Sequence, residues 1–313
     1  DPPYHTRVRR AIQTALVTRV INGMRPALVS LVDSLLDNVE EQGDFDLIGD
    51  FAAAIPVEVI GNLLSIPREE RDPLRDWSLA ILGALEPNIS DDVRDRANAA
   101  VSEFSHYLSG VIEIRRRHLQ LDGADALSLM IAADDDGASL TNEELIHNAI
   151  FLLNAGHETT TNLIGNGVAA LLATPSEWRR LYADPELINS AVEEFLRFES
   201  SNQLGNRLVT APTQIGDVTL EPGTGITLGI GAANRDPTVF PDPERLDITR
   251  TPNRHLAFGL GAHACAGMNL ARLEGQVAIG RLVQRFPSLL QTGDAVRGQR
   301  ARFRGFLRFP VRV

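Results

Sequence analysis

The sequence is poor in the residues that several common kinds of function require. Its 313 residues include a single cysteine, which excludes an internal disulfide and a zinc site built from several cysteines. No apolar run approaches the roughly 20 residues of a membrane span, and the amino end lacks the apolar stretch of a signal peptide. Acidic residues outnumber basic ones by 41 to 30, and this net charge of −11 argues against a nucleic-acid partner. The composition predicts a soluble, cytoplasmic enzyme.

The one cysteine lies in a glycine-rich turn ahead of a predicted helix over residues 268–286. The segment reads Phe258-Gly259-Leu260-Gly261-Ala262-His263-Ala264-Cys265-Ala266-Gly267. Cys265 is expected at the amino end of the helix, where unpaired N–H groups and the helix dipole favour a negative sulfur. The glycines allow positive φ angles and the close approach of a flat ligand. A free cysteine is more often a small buried hydrophobic residue, but this setting favours a metal-bound thiolate.

These ten residues match the pattern F-G-x-G-x-H-x-C-x-G at every fixed position. They resemble the haem-binding loop of the cytochrome P450 family. The resemblance implies that Cys265 is the axial ligand of haem b (iron protoporphyrin IX), and that its electron donation favours O–O cleavage. It also implies haem contacts by Phe258, Gly259 and Gly267.

Helical periodicity dominates the first two thirds of the chain. Apolar spacing predicts helices over residues 11–36, 45–64, 71–85, 92–118, 140–173 and 185–198, with a turn at Asp122–Gly123. Thr141 is the predicted N-cap of the longest helix. Short β-prone pieces follow between residues 205 and 228, and residues 234–258 carry no regular pattern. We predict one mainly α domain with small β-sheets over residues 1–313, and the resemblance implies the P450 fold.

An acid and a hydroxyl stand side by side in the longest predicted helix, in Ala155-Gly156-His157-Glu158-Thr159. A threonine bonded to the carbonyl one turn earlier, beside a solvated glutamate, would explain the pair without any function. Together with the cysteine loop, however, the segment resembles the oxygen-binding stretch of the P450 central helix. That resemblance implies that Thr159 hydrogen-bonds dioxygen, that Glu158 relays protons to it, and that Ala155 and Gly156 lie against the haem. His157 is expected to serve packing or a surface contact.

A second pair, Glu194 and Arg197, has the three-residue spacing of neighbours on one helix face. Such a pair is ordinarily a surface salt bridge of little energetic weight. The resemblance implies instead a buried pair that is joined by a later arginine, matched here by Arg245. The three would brace the segment that leads to the cysteine, which is a structural role.

Four further residues are candidates for binding the two haem propionates, whose burial requires hydrogen-bond donors. His5 and Arg9 stand four apart, on one face of a helix that starts after Pro3. With Arg207 and His263 they match, in chain order, the propionate-binding residues of bacterial P450s. Because His5 and Arg9 lie so near the first residue, the expected fold is a partial, amino-terminally truncated one that starts near the C helix.

The resemblance implies a haem-thiolate monooxygenase that inserts one atom of O2 into a small organic substrate. Its electrons would come from a ferredoxin or flavodoxin with an NAD(P)H-dependent reductase, docked on a positive face formed by Arg7, Arg10, Arg254 and Arg272. The alternative is a truncated haem-binding P450-like protein without monooxygenase turnover. The Glu158–Thr159 pair favours the first of these, and the expected truncation favours the second.

Overall fold

The computed structural model describes residues 1–119, 125–133 and 139–313. The predicted turn at Asp122–Gly123 lies outside the described residues. The helices are α1 (Tyr4–Ala15), α2 (Thr18–Gln42), α3 (Ala54–Leu63), α4 (Asp72–Gly83), α5 (Asp91–Arg117), α6 (Ala126–Ala132), α7 (Asn142–Ala173), α8 (Pro175–Ala183), α9 (Ile188–Phe198), α10 (Ile230–Ala233) and α11 (Met268–Arg285). The strands are β1 (Asp44–Asp46), β2 (Leu204–Leu208), β3 (Thr213–Ile215), β4 (Val218–Leu220), β5 (Gly225–Gly229), β6 (Leu290–Gln291), β7 (Val296–Arg297), β8 (Phe306–Arg308) and β9 (Pro310–Arg312).

The β-structure is confined to small antiparallel sheets. Strands β1, β9 and β6 form a three-stranded sheet in that order, while β2–β5, β3–β4 and β7–β8 are two-stranded. In the first sheet Phe45 is paired with Val311, which ties the early part of the chain to its end. The prediction of a mainly α fold with small sheets is confirmed.

The longest helix, α7, runs through the core. It begins with the predicted Thr141 cap, because Glu144 N donates to Thr141 Oγ1 at 3.2 Å and Thr141 N donates to Glu144 Oε2 at 2.8 Å. The helix packs against α3, α4, α5, α9 and α11 and is buried on all sides from 160 to 168. Two glycines allow this crowding: a Cβ at Gly165 would lie 2.6 Å from Ile48 Cδ1, and one at Gly167 would lie 2.9 Å from Ile279 Cδ1.

The structure differs from the predicted helices in three places. The predicted helix 11–36 is two helices, because Val17 is extended (φ −68°, ψ 149°) between α1 and α2. Residues 44–46, at the start of another predicted helix, form β1 because they pair with β9. Pro175, which marked the end of α7 in the prediction, is also the first residue of α8, where a missing N–H costs nothing.

No single helix among the described residues is both long enough and apolar enough to cross a bilayer. Only α1 and α2 taken together, with a bend of 42° between them, meet those two requirements.

Candidate active site

The cysteine loop folds back on itself immediately before α11. Cys265 N donates to Phe258 O at 2.8 Å, which closes the loop. Gly259 and Gly261 adopt φ angles of +65° and +75°, in the region that favours glycine. Gly267, by contrast, has φ −89° and is the residue before α11, so its role is that of a helix start. Cys265 thus lies where the sequence predicts, within the turn that precedes the helix.

The thiol of Cys265 experiences opposing effects. Burial raises its pKa, while a hydrogen bond from the Gly267 N–H and the charges of Arg9 and Arg272 lower it; burial is the largest effect, so the pKa is raised. The Gly267 N–H at the start of α11 thus acts on the thiol in the expected direction, but burial outweighs it. A bound cation would supply the missing stabilisation, because metal binding displaces the thiol proton.

Three of the four candidate propionate ligands meet beside the cysteine loop. The rings of His5 and His263 lie 4.2 Å apart between centroids, and Arg9 Nη2 donates to Ala264 O at 2.5 Å. His263 Nε2 lies 2.7 Å from an Asp1 carboxylate oxygen. The fourth candidate, Arg207, is exposed on β2, where it donates to the carbonyl of Asn206 at 2.8 Å. The structure thus joins residues that are more than 250 positions apart, and it leaves Arg207 outside their mutual contacts.

This cluster has properties that fit a flat, apolar group with anionic arms. Arg9 Nε is buried and has no hydrogen-bond partner among the described residues, so the cluster has an unused donor. On helix α7, the large apolar side chain of Phe151 is 49% exposed, and Ala155 one turn later is also exposed. A cysteine sulfur, a spare guanidinium N–H and two imidazoles are donors that suit the iron and the carboxylates of haem.

Both members of the acid–hydroxyl pair of α7 form hydrogen bonds within the protein. Thr159 Oγ1 donates to Ala155 O at 2.6 Å, the back-bonding that could explain the residue without function. Glu158 does not face bulk water as a solvated glutamate would; it accepts a hydrogen bond from Arg300 Nη1. A Cβ at Gly156 would lie 2.7 Å from Ile60 Cδ1, so in this structure Gly156 allows α3 and α7 to pack closely.

His157 next to this pair is a core residue rather than a surface one. It is buried, and neither ring nitrogen has a hydrogen-bond partner in the part of the chain that the structure describes. Burial, helped by the charge of Arg75, lowers the pKa of His157 to about 4. The imidazole is therefore neutral at physiological pH and contributes packing, which is one of the two roles expected for it.

Glu194 and Arg197 form a buried ion pair on α9. Both side chains are 0% exposed, and Arg197 Nε donates to Glu194 Oε2 at 2.8 Å while Nη2 donates to Oε1 at 2.8 Å. Arg197 Nη1 also donates to the carbonyls of Asn234 and Pro243, at 3.0 and 2.9 Å. Asn234 Oδ1 in turn accepts from the N–H of Leu256, at 2.7 Å, two residues before the cysteine loop. The pair thus braces the chain that leads to Cys265.

The arginine that completes this brace is Arg250, which corrects the prediction of Arg245. Arg250 Nε lies 3.1 Å from Glu194 Oε2, whereas Arg245 contributes only its backbone carbonyl to Arg197, at 3.3 Å. Asn253, which sequence reasoning missed, donates to Glu194 Oε2 at 3.1 Å. The sequence carries arginines at 245, 250 and 254 within one irregular stretch, so spacing alone cannot select among them.

A family model described as Cytochrome P450 matches residues 82–312. The chain belongs to the cytochrome P450 family. It is 42% identical over 315 residues to the vitamin D(3) 25-hydroxylase of Pseudonocardia autotrophica, with 99% of the chain and 76% of that protein covered. It is 37% identical over 319 residues to the cytochrome P450 monooxygenase PikC of Streptomyces venezuelae, with coverage of 100% and 74%.

Solved structures agree with this membership. The structure of P450BioI in complex with hexadec-9Z-enoic acid ligated acyl carrier protein has a TM-score of 0.95 and 37% identity, over 100% of this chain and 80% of that one. The predicted family, fold and enzyme class are confirmed: the protein is a P450 oxidoreductase of the monooxygenase class. Its cofactor is haem, and the relative from Pseudonocardia autotrophica is named as a hydroxylase of vitamin D(3), a small molecule.

The positive face that the sequence predicts on this P450 is weaker than four arginines suggest. Arg7 binds Glu144, and this hydrogen bond is the main reason why the pKa of that carboxyl falls to about 2. Arg272 donates to Glu193 at 2.7 and 2.9 Å; burial raises the pKa of Glu193, but hydrogen bonds from Arg272 and His255 bring it down to about 2. Two of the four charges are thus neutralised by neighbours, while Arg254 is exposed.

Proposed function

We propose that this P450 uses haem b to insert one atom of O2 into a small organic substrate. The proposal includes electron supply by a ferredoxin or flavodoxin with its NAD(P)H-dependent reductase, and a cytoplasmic location. The observation that carries it is the placement of Cys265 in the turn before α11, with Arg9, His5 and His263 gathered at the same loop. Such an arrangement can supply one sulfur ligand to a metal and N–H donors to the anionic groups of the same cofactor.

The proposed haem contacts divide by chemistry. Cys265 Sγ is the metal ligand, while His5, Arg9 and His263 bind the propionates through their N–H groups. Arg207 is assigned to the same role by resemblance alone. The remaining proposed contacts are with the flat faces of the ring, from Ala155, Gly156, Phe258, Gly259 and Gly267. Haem, when bound, supplies the centre at which dioxygen is activated.

The residues of α7 have proposed roles in moving protons. Thr159 Oγ1 carries a hydrogen that it now donates to Ala155 O, at 2.6 Å, and a rotation about χ1 would release it from that carbonyl. Glu158 can take up and release a proton at its carboxylate, whose pKa is raised by burial. Glu194, Arg197 and Arg250 have no part in this chemistry and hold the cysteine loop in place.

The experiment that tests this proposal is isotopic labelling of product. Haem-loaded protein is given a panel of apolar substrates, ¹⁸O2, NADPH and a surrogate ferredoxin with its reductase, and products are analysed by mass spectrometry. We expect one ¹⁸O atom in each product molecule, and none when the ferredoxin is omitted. Haem-loaded protein that reduces oxygen without forming labelled product on any substrate would favour the alternative, a haem-binding protein without monooxygenase turnover. Product that forms without ferredoxin, with its oxygen atom taken from added hydrogen peroxide, would overturn the proposed electron source.

A further inference from the structure

The carboxylate of Glu158 is bound by an arginine from near the end of the chain. Arg300 Nη1 donates to Glu158 Oε2, across 142 residues of sequence. Both side chains are largely covered, at 12% exposure for Glu158 and 23% for Arg300. Arg300 lies between strands β7 and β8, in a segment to which the sequence analysis assigns no function. The ion pair thus connects the turn of α7 that carries Thr159 to an element far away in sequence.

Arg300 is itself held from the end of α4. Its Nη2 donates to Leu79 O at 3.4 Å. Glu86, three residues after α4, accepts from the backbone N–H groups of Ala301 and Arg302, at 2.9 and 3.2 Å, through one oxygen. The segment that carries Arg300 therefore cannot move freely, because its backbone is tied to the connection between α4 and α5.

Two carboxylates and one guanidinium determine the charge at this place. Burial raises the pKa of Glu158, Arg300 opposes that rise, and the charge of Glu86 adds to it. Among the described residues, Arg300 and Glu86 are the side chains whose charges change the pKa of Glu158. His157, on the same helix, is neutral and is influenced by Arg75 instead. Arg300 thus opposes the effect of burial on the pKa of this mostly covered carboxyl group, through both its charge and its hydrogen bond.

We propose that Arg300 is a positioning residue that holds the Glu158 carboxylate ionised and in place. The hydrogen bonds that Glu86 accepts link the segment carrying Arg300 to the connection between α4 and α5. The inference rests on the proton-relay role proposed above for Glu158. Proton uptake at Glu158 requires the carboxyl group to separate from Arg300, so the ion pair controls the pH at which the relay works. Movement of the α4–α5 connection would reach Glu158 through the Glu86 hydrogen bonds.

The test follows the ionisation of Glu158 directly. Infrared spectra of the haem-loaded protein are recorded against pH, and the carbonyl band of protonated Glu158 is identified as the one absent from Glu158→Gln. In Arg300→Gln we expect the midpoint of this band to move up by about 1 to 3 pH units, because a nearby opposite charge lowers a carboxyl pKa by that amount. In Glu86→Gln, which keeps an oxygen acceptor but removes a negative charge, we expect the midpoint to move down.

Three further variants complete the design. Arg300→Lys keeps the charge and should restore most of the wild-type midpoint. Arg300→Met, which also removes the charge, takes the place of Arg300→Gln if the latter does not fold. Arg117→Gln removes an arginine from an exposed pair with Glu113 on α5, and it should leave the midpoint unchanged. The pH profile of product formed per O2 consumed is expected to move with the infrared midpoint in each variant.

The outcomes separate this inference from the proposed function. If Glu158→Gln leaves product per O2 unchanged, the relay role fails, whereas the infrared midpoint still decides whether Arg300 controls the carboxylate. If the midpoint of Glu158 is the same in wild type, Arg300→Gln and Arg300→Lys, the inference about Arg300 is overturned, whatever the activity.

Discussion

Replacing Glu194 with alanine is expected to destabilise the protein by about 3 to 5 kcal/mol, since removing one partner of a buried ion pair leaves uncompensated buried charge. Glu194 accepts from Arg197 and Arg250 and lies at 0% exposure. Its loss would leave the Arg197 guanidinium buried with only backbone carbonyls as partners. We expect the midpoint of urea unfolding to fall accordingly, measured at equal haem loading because a bound cofactor adds stability of its own.

The matched control for this prediction is Glu113→Ala. Glu113 also pairs with an arginine on its own helix, but the two side chains are 64% and 67% exposed. Exposed pairs of this kind contribute about 0 to 1 kcal/mol. Equal destabilisation by Glu194→Ala and Glu113→Ala would contradict the view that the α9 pair is a structural brace. A Glu194→Ala protein that folds stably but binds haem less tightly would instead place its effect at the cysteine loop alone.

Replacing Thr159 with alanine is expected to separate oxygen consumption from product formation. Positioned proton-transfer groups contribute about 10² to 10⁴ in rate, so product formation should fall by about 100-fold or more while oxygen is still consumed. The measurement is the ratio of product formed to O2 consumed, with the hydrogen peroxide released as the complementary quantity. Stability should change little, because Thr159 Oγ1 bonds only to the carbonyl of Ala155 on its own helix.

Thr161 provides a close control on the same helix. Its hydroxyl also donates to the carbonyl four residues earlier, to His157 O at 3.0 Å, but the residue is buried in the core. Thr161→Val should therefore leave the ratio of product to O2 unchanged. If Thr159→Ala keeps the wild-type ratio, Thr159 has no part in the mechanism; if both variants lower it equally, the effect comes from α7 packing and not from a proton at Thr159.

Local sequence patterns predict the elements that depend on nearby residues. The cysteine turn, the start of α11 and the Thr141 cap each involve contacts within a few positions, and each is found where the sequence predicts it. The cluster of His5, Arg9 and His263 is a different case, because these residues meet across more than 250 positions. Its prediction came from resemblance to a family, since spacing alone cannot bring the two ends of a chain together.

Contacts set by tertiary packing could not be predicted in this way. Spacing alone cannot distinguish Arg250 from Arg245, and only the path of the loop brings Arg250 to Glu194. The partner of Glu158 was equally inaccessible, because Arg300 lies in a short arginine-rich segment with no helical or strand pattern. Gly156 illustrates the same limit: a glycine in a helix indicates a close approach, but only the structure identifies Ile60 as the neighbour.

The claim that Cys265 is the haem ligand is tested most directly by the spectrum of the reduced protein with carbon monoxide. Haem with a thiolate ligand gives a Soret band that is strongly shifted to the red, and we predict this band for the purified, haem-loaded protein. We predict that Cys265→Ala and Cys265→Ser lose the red-shifted band. A protein that incorporates no haem, or one that keeps the red-shifted band without Cys265, would contradict the account.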